Sequence, residues 1–216
     1  MRPGCRFRPA WAQAAAFLLT VLGGASAWAD NCTWAPVGGS TDWHDAANWT
    51  GGLPDANDRA IISISGTVTV SQNTTINQLQ LLASCVVTIN TGITLTIDGG
   101  TSPYVDGTGS VTTTGTGKIE ITGSAADNDT LFNNTCTVGN FTVNTASANT
   151  LLSRDATTVT INGAFTITSG EVQLGNATAG CTFDINGSLS IATGATLQKA
   201  VTNGTINVSG DFTANG

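Results

Sequence analysis

Short runs in which an apolar residue alternates with a small polar one recur along the chain, as in Thr67-Val68-Thr69-Val70 and Thr94-Leu95-Thr96-Ile97. A period of two places alternate side chains on opposite faces of an extended strand. Each run therefore predicts a β-strand with one apolar and one neutral polar face, and Val, Ile and Thr suit such a half-buried surface. The runs are themselves periodic. Residues 161–170, 185–194 and 208–216 align on one pattern: an apolar residue, Asn or Ser, Gly, any residue, Phe or Leu, Ser or Thr, a small or apolar residue, and a closing Gly. With the Phe/Leu position as an anchor, the series runs Leu95, Ile119, Phe141, Phe165, Leu189, Phe212, in steps of 24, 22, 24, 24 and 23 residues. Each anchor has a partner two residues on, namely Ile97, Ile121, Val143, Ile167, Ile191 and Ala214.

A fixed period over several units is the mark of a repeat architecture. A leucine-rich repeat has a similar period but needs an L-x-x-L-x-L framework that these units lack. Helical repeats are disfavoured by the frequency of Thr, Val and Gly. A hairpin sheet also uses Asn-Gly turns, yet nothing in a hairpin demands a constant period. The expectation is an all-β fold, a single-stranded parallel β-helix of 22–24 residues per coil, with the anchors stacked in one interior column about 4.8 Å apart. In the coil at 181–198 the strands fall at 181–185, 188–192 and 195–198. Asn186-Gly187 and Thr193-Gly194 make its corners, because Gly, and less readily Asn, accept positive φ.

The first 62 residues break the pattern. Arg2, Arg6 and Arg8 precede an apolar run at 14–22 and the small-residue sequence Ala27-Trp28-Ala29, the order of a secretory signal peptide. The run is too short to span a bilayer, which takes about 20 apolar residues. Residues 1–29 are read as the leader, 30–62 as a cap rich in Trp, and 63–216 as the repeats. A solenoid has an open apolar end, and Trp34, Trp43 and Trp49 are suited to cover it. The sequence stops inside what reads as another repeat, the expectation for part of a longer passenger.

Loss of the leader changes the charge. The formal net charge of −7 becomes −10, since four basic residues (Arg59, Lys118, Arg154, Lys199) then face fourteen acidic ones. Such a surface repels phosphate backbones, and nucleic acid is excluded as a partner. Four cysteines remain, Cys32, Cys85, Cys136 and Cys181. Cys136 and Cys181 fall two coils apart, roughly 10 Å, beyond the 7 Å or so that a disulfide tolerates. Both are expected to be unpaired, buried and apolar in behaviour. Cys32 with Cys85 is the one pairing that folding of the cap onto the first coil leaves open.

The segment holding Trp43, Asn48, Trp49, Gly52, Pro54, Asp58, Ala60 and Ile62 resembles the W…NW…G…P…D-x-A-x-I opening of exported bacterial β-helix surface proteins of the autotransporter-like group. Residues 210–216, G-D-F-T-A-N-G, look like the repeats of that group. The resemblance implies a right-handed parallel β-helix displayed or released outside the cell, and no particular ligand. The alternating barrel strands that end an autotransporter are not in this sequence.

Candidate chemistry is sparse. His44, the single histidine, stands alone between Trp43 and Asp45, without the second His or Cys expected of a metal site, and reads as part of the cap. Parallel β-helices also carry polysaccharide lyases and hydrolases, whose chemistry needs carboxylates paired on neighbouring coils. Asp106, Asp129, Arg154 and Lys199 lie 11, 10, 13 and 10 residues after their anchors, spread over several coils and mixed in sign. Asp127-Asn128-Asp129 and Asp55-Ala56-Asn57-Asp58 offer hard oxygen ligands for Ca²⁺ but match no calcium loop, and Asx turns account for them. No catalytic, cofactor or metal residue is assigned. The sequence points to a non-catalytic extracellular or cell-surface scaffold, adhesin-like, with carbohydrate, a surface polymer or its own copies as partners. The competing expectations are a carbohydrate-active enzyme and a passive spacer for a further domain.

Overall fold

The computed structural model describes residues 30–99, 105–123, 129–132, 134–146, 150–153, 158–174, 181–199 and 204–215, and the side chains of 129–131 and 150–153 are not part of that description. The leader at 1–29, Asp127, Asn128 and Arg154 lie outside these residues.

The chain winds through three sheets in turn. The first coil runs Arg59–Ile62, Gly66–Val70, Thr74–Ile76, and the sixth runs Glu171–Leu174, Thr182–Ile185, Leu189–Ile191, one strand per sheet in each case. Sheets B and C are seven-stranded, begun by Gly66–Val70 and Thr74–Ile76 respectively. Sheet A, which holds Arg59–Ile62, has nine strands, because Asn31–Trp34 and Trp49–Thr50 from the cap region extend it. Every pairing between coils is parallel; Trp49–Thr50 runs antiparallel to Asn31–Trp34. This is the expected parallel β-solenoid. The described residues contain one helical turn, the 3-10 segment Ala46–Asn48.

The anchors stack as the period requires. Leu95 registers with Ile119, Ile119 with Phe141, Phe141 with Phe165, Phe165 with Leu189 and Leu189 with Phe212. The partner column from Ile97 to Ala214 keeps the same register. Thr74 opposes Leu95 and so heads the column, although its polarity hides it from the sequence pattern. Inward alternation fills the interior almost completely. Leu95, Ile119, Phe141 and Phe165 are all buried, each such side chain stabilising the fold by about 1.5–3 kcal/mol.

The filling changes along the axis. Early coils pack aliphatic side chains such as Val87, Ile89, Leu79 and Leu81. Later ones hold an aromatic cluster of Phe132, Phe141, Phe165 and Phe183, with ring centroids 5.4–6.2 Å apart in tilted and edge-on contacts.

Two corners that look alike in sequence have different causes. Gly194 has φ 80°, the left-handed backbone expected of a Thr-Gly turn. Gly187, in Asn186-Gly187, does not have positive φ, and here the sequence reading is corrected. A Cβ at Gly187 would overlap the Gly163 carbonyl of the coil beneath, and one at Gly210 would lie 2.6 Å from the Gly187 carbonyl. The second corner is glycine because successive coils approach too closely for a side chain.

Candidate functional site

The cap is the most elaborately built region. Trp34, Trp43 and Trp49 are buried and meet edge to face, with centroids 5.0 Å (Trp34–Trp49) and 4.7 Å (Trp43–Trp49) apart. The Trp49 indole N–H donates to the Trp43 carbonyl at 2.7 Å. Asn48, fully buried, holds the loop together: its Nδ2 donates to Ser40 Oγ and to the Asp42 carbonyl, both at 2.9 Å, and its Oδ1 accepts the Val37 N–H at 3.1 Å. Asp45 caps the 3-10 turn by accepting the Ala47 N–H. Asp58 accepts the backbone N–H groups of Asp55 and Asp30, while Ala60 and Ile62 point into the core.

The cap also covers sheet edges. Trp49–Thr50 lies along the outer edge of sheet A. On sheet B, Trp43 N–H donates to the Thr69 carbonyl at 3.0 Å and Thr69 N–H to the Thr41 carbonyl at 2.7 Å. Over sheet C the cap reaches through His44, whose Nε2 is 2.7 Å from Thr74 Oγ1.

That contact tests His44 as a catalytic base. The Thr74 hydroxyl donates to the Gln72 carbonyl at 3.2 Å, so its oxygen accepts from His44 Nε2–H. Nδ1 is then the acceptor nitrogen, with Ser71 Oγ at 3.4 Å, outside the 2.6–3.2 Å or so of an activated nucleophile. The Asp42 carboxylate is 3.8 Å from the same nitrogen, and its Oδ1 accepts the His44 backbone N–H at 3.0 Å. No carboxylate is bound to the opposite side of the ring, where an orienting group would belong. Burial pushes the ring below its ordinary pKa, with the Asp42 charge opposing in part. The geometry is that of a neutral latch between cap and first coil.

Of the charged residues weighed for carbohydrate chemistry in the sequence, the two whose side chains are described, Asp106 and Lys199, do not converge. Asp106 and Lys199 both stand on sheet A, but four strand spacings separate them, about 19 Å. Asp129 is on the strand next to that of Asp106. Asp55 accepts from the backbone and side-chain nitrogens of Asn57, the expected Asx turn. Among the described residues no group of three or more His, Cys, Asp or Glu is placed to hold a metal ion. Cys32, Cys85, Cys136 and Cys181 are all buried and none forms a disulfide, so the Cys32–Cys85 pairing is not formed. Burial pushes the Cys136 thiol up to about 12, with Cys181 adding to the rise, and pushes Cys32 up to about 11, with Asp58 adding to it. Thiols held so far from ionisation are poor nucleophiles.

What sequence reasoning missed is how the outward positions bond to one another from coil to coil. Asn186 Nδ2 donates to Asn162 Oδ1 at 2.8 Å, Asn207 to Asp184 at 2.6 Å, Asn144 to Glu120 at 3.1 Å and Gln198 to Glu171 at 2.6 Å. Gln80 and Asn134 both donate to Asp106, at 2.9 and 3.0 Å. Carboxylates are thus held mainly by amides; Lys118–Glu120, at 2.6 Å, is an ion pair within one strand. For Asn162–Asn186 and Asp184–Asn207 the available signal was polar residues in the same phase of successive repeats, whereas Asn144–Glu120 and Gln198–Glu171 bond diagonally between strands and carry no such signal.

The chain matches no family model, no curated protein and no solved structure in the three comparisons made.

Proposed function

We propose that this chain is an exported, non-catalytic β-solenoid scaffold, a rigid rod of the adhesin-like kind that works at or outside the cell surface. The observation that carries the reading is the coil-to-coil bonding of the outward polar side chains. These side chains bond to one another along the wall, carboxylates accept from amides, and among the described residues charged groups do not gather into a reacting centre. Satisfied networks of this kind rigidify a structure and fix its register. The basic, apolar and A-x-A order of residues 1–29 supports export, and the tryptophan opening supports the likeness to exported β-helix surface proteins.

Two measurements test the reading. Expression of the chain with and without residues 1–29 should send only the former across the membrane, with mature mass beginning at Asp30. Incubation of the mature protein with neutral and acidic polysaccharides should release no new reducing ends and no unsaturated products. Turnover abolished by one Asp or Glu substitution would instead establish a carbohydrate-active enzyme.

A further inference from the structure

The coils are not equally long at the corner between sheets B and C. Val111, Val138 and Ile161 occupy one column of sheet B and Ile119, Phe141 and Phe165 one column of sheet C. Seven residues join Val111 to Ile119, two join Val138 to Phe141, and three join Ile161 to Phe165. The surplus in the first of these coils overhangs the two that follow and leaves a groove of about 330 Å³, bordered by Thr112, Gly115, Gly139, Asn140 and Asn162.

The groove is built rather than incidental. Asn140 fixes the overhang: its Nδ2 donates to the Gly115 and Gly117 carbonyls at 3.0 and 2.9 Å, and its Oδ1 accepts the Ala164 N–H at 3.0 Å. Its own N–H donates to Thr113 Oγ1 at 3.0 Å. Gly139 stands between Thr112 and Asn162 in the outward column, so the floor is backbone between two polar walls about 10 Å apart, two strand spacings. A side chain at Gly139 would collide with Thr113. Asn162 Oδ1 is used by Asn186, which leaves its amide donor facing outward, and the Thr112 hydroxyl, bonded to Thr88 at 3.2 Å, can still donate or accept once more.

We propose that this groove binds a short stretch of neutral glycan, a proposal that rests on the scaffold reading and gives it a ligand. Among the described residues no charged side chain lines the groove, so the lining offers no cation to a carboxylate or phosphate, and the acidic chain as a whole repels both. It has no apolar recess for a peptide side chain. It does offer mixed donors and acceptors above exposed glycine backbone, already held in place, which suits a polyhydroxylated ring. The volume is at the lower end of ligand sites, and the absence of an aromatic platform in the lining sets weak affinity, a Kd on the order of millimolar.

The test is a ¹⁵N NMR titration of the mature protein with cellotetraose, and with tetragalacturonate as the anionic counterpart. Saturable shifts confined to the amides of Gly115, Gly139, Gly163 and their neighbours are expected with cellotetraose, and weaker ones with tetragalacturonate. Asn162→Ala should weaken binding several-fold, and Thr112→Trp, which fills the groove from an exposed position, should abolish it while the rest of the spectrum is kept. Shifts scattered over the whole wall, saturation unchanged in both variants, preference for the anion, or no shift at all would each overturn the proposal. None of these outcomes bears on whether the rod is inactive, whereas appearance of cleaved cellotetraose would sink the scaffold reading and leave the groove assignment to stand on the shifts.

Discussion

Phe165 and Phe212 stand in one column, two coils apart, each within a Gly-x-Phe-Thr sequence, yet Phe165 is fully buried and Phe212 is 61% exposed. The difference lies in what sits above each. Phe165 has a coil on either side, whereas no described coil stacks on the far side of Phe212, where Ile206 is also exposed. At the other end the same column is closed: Thr74 replaces the apolar anchor and His44 covers it. In a solenoid, burial belongs to the neighbour and not to the residue, and a coil without a neighbour is worth little on its own. The tryptophan cap supplies that neighbour by other means, with edge-to-face rings for the core, strands for the edge of sheet A and an isolated backbone bridge, Asp42 with Thr69, for that of sheet B.

The widest contrast is expected between Phe165→Ala and Phe212→Ala. The first should cost about 3–5 kcal/mol, the usual range for emptying a buried Phe site, and the second below about 1 kcal/mol. Denaturant melts give the totals. Hydrogen exchange should place the damage of the first in the coils of Phe141 and Leu189, and equal costs would show that the two positions do not differ as described.

Within the cap, Asn48→Ala removes an amide that satisfies two oxygens and one N–H. Leaving such groups unmade inside the cap should cost about 1–3 kcal/mol. The loss should be visible as quenching or red-shift of Trp fluorescence before the solenoid melts. Coincident melting of cap and coils would argue that the cap has no stability of its own to lose.

The two glycine corners separate on a finer scale. Gly187→Ala should destabilise by about 1–3 kcal/mol through overlap with the coil beneath, and Gly194→Ala by about 1–2 kcal/mol through left-handed backbone alone. Asn relieves only the second, since it tolerates positive φ but is larger than Ala. Gly194→Asn with near-native stability, set against a poorly folded Gly187→Asn, is the expected pair of results.

The smallest effect concerns the latch over sheet C. His44 has a folded-state pKa below its ordinary 6.5, chiefly through burial. The neutral ring's contribution is therefore complete above pH 6.5 and is lost as pH falls from there through the lower folded-state value. Exchange of amides near Thr74 should quicken over that interval while those near Phe165 do not change, and His44→Gln should remove the pH dependence. An unchanged Thr74 region at low pH would show that the ring does not hold the cap.

The period of 22–24 residues and the alternation within each run were enough to specify strands, stacking and the identity of the interior column, because inward and outward positions follow from strand geometry alone. The tryptophan segment was legible as a cap for the same reason that an apolar end must be covered. Tertiary structure decided what depends on distances between coils. It placed Thr74 at the head of an apolar column, set His44 against it, left Cys32 and Cys85 unbonded, and made Gly187 a matter of contact where Gly194 is a matter of φ. It also decided that a corner of two residues at Gly139-Asn140 follows one of seven, and so where the wall opens into a groove. The physical reason is that local sequence fixes the face a side chain takes, whereas its partner is chosen by the length and register of another coil some 24 residues away.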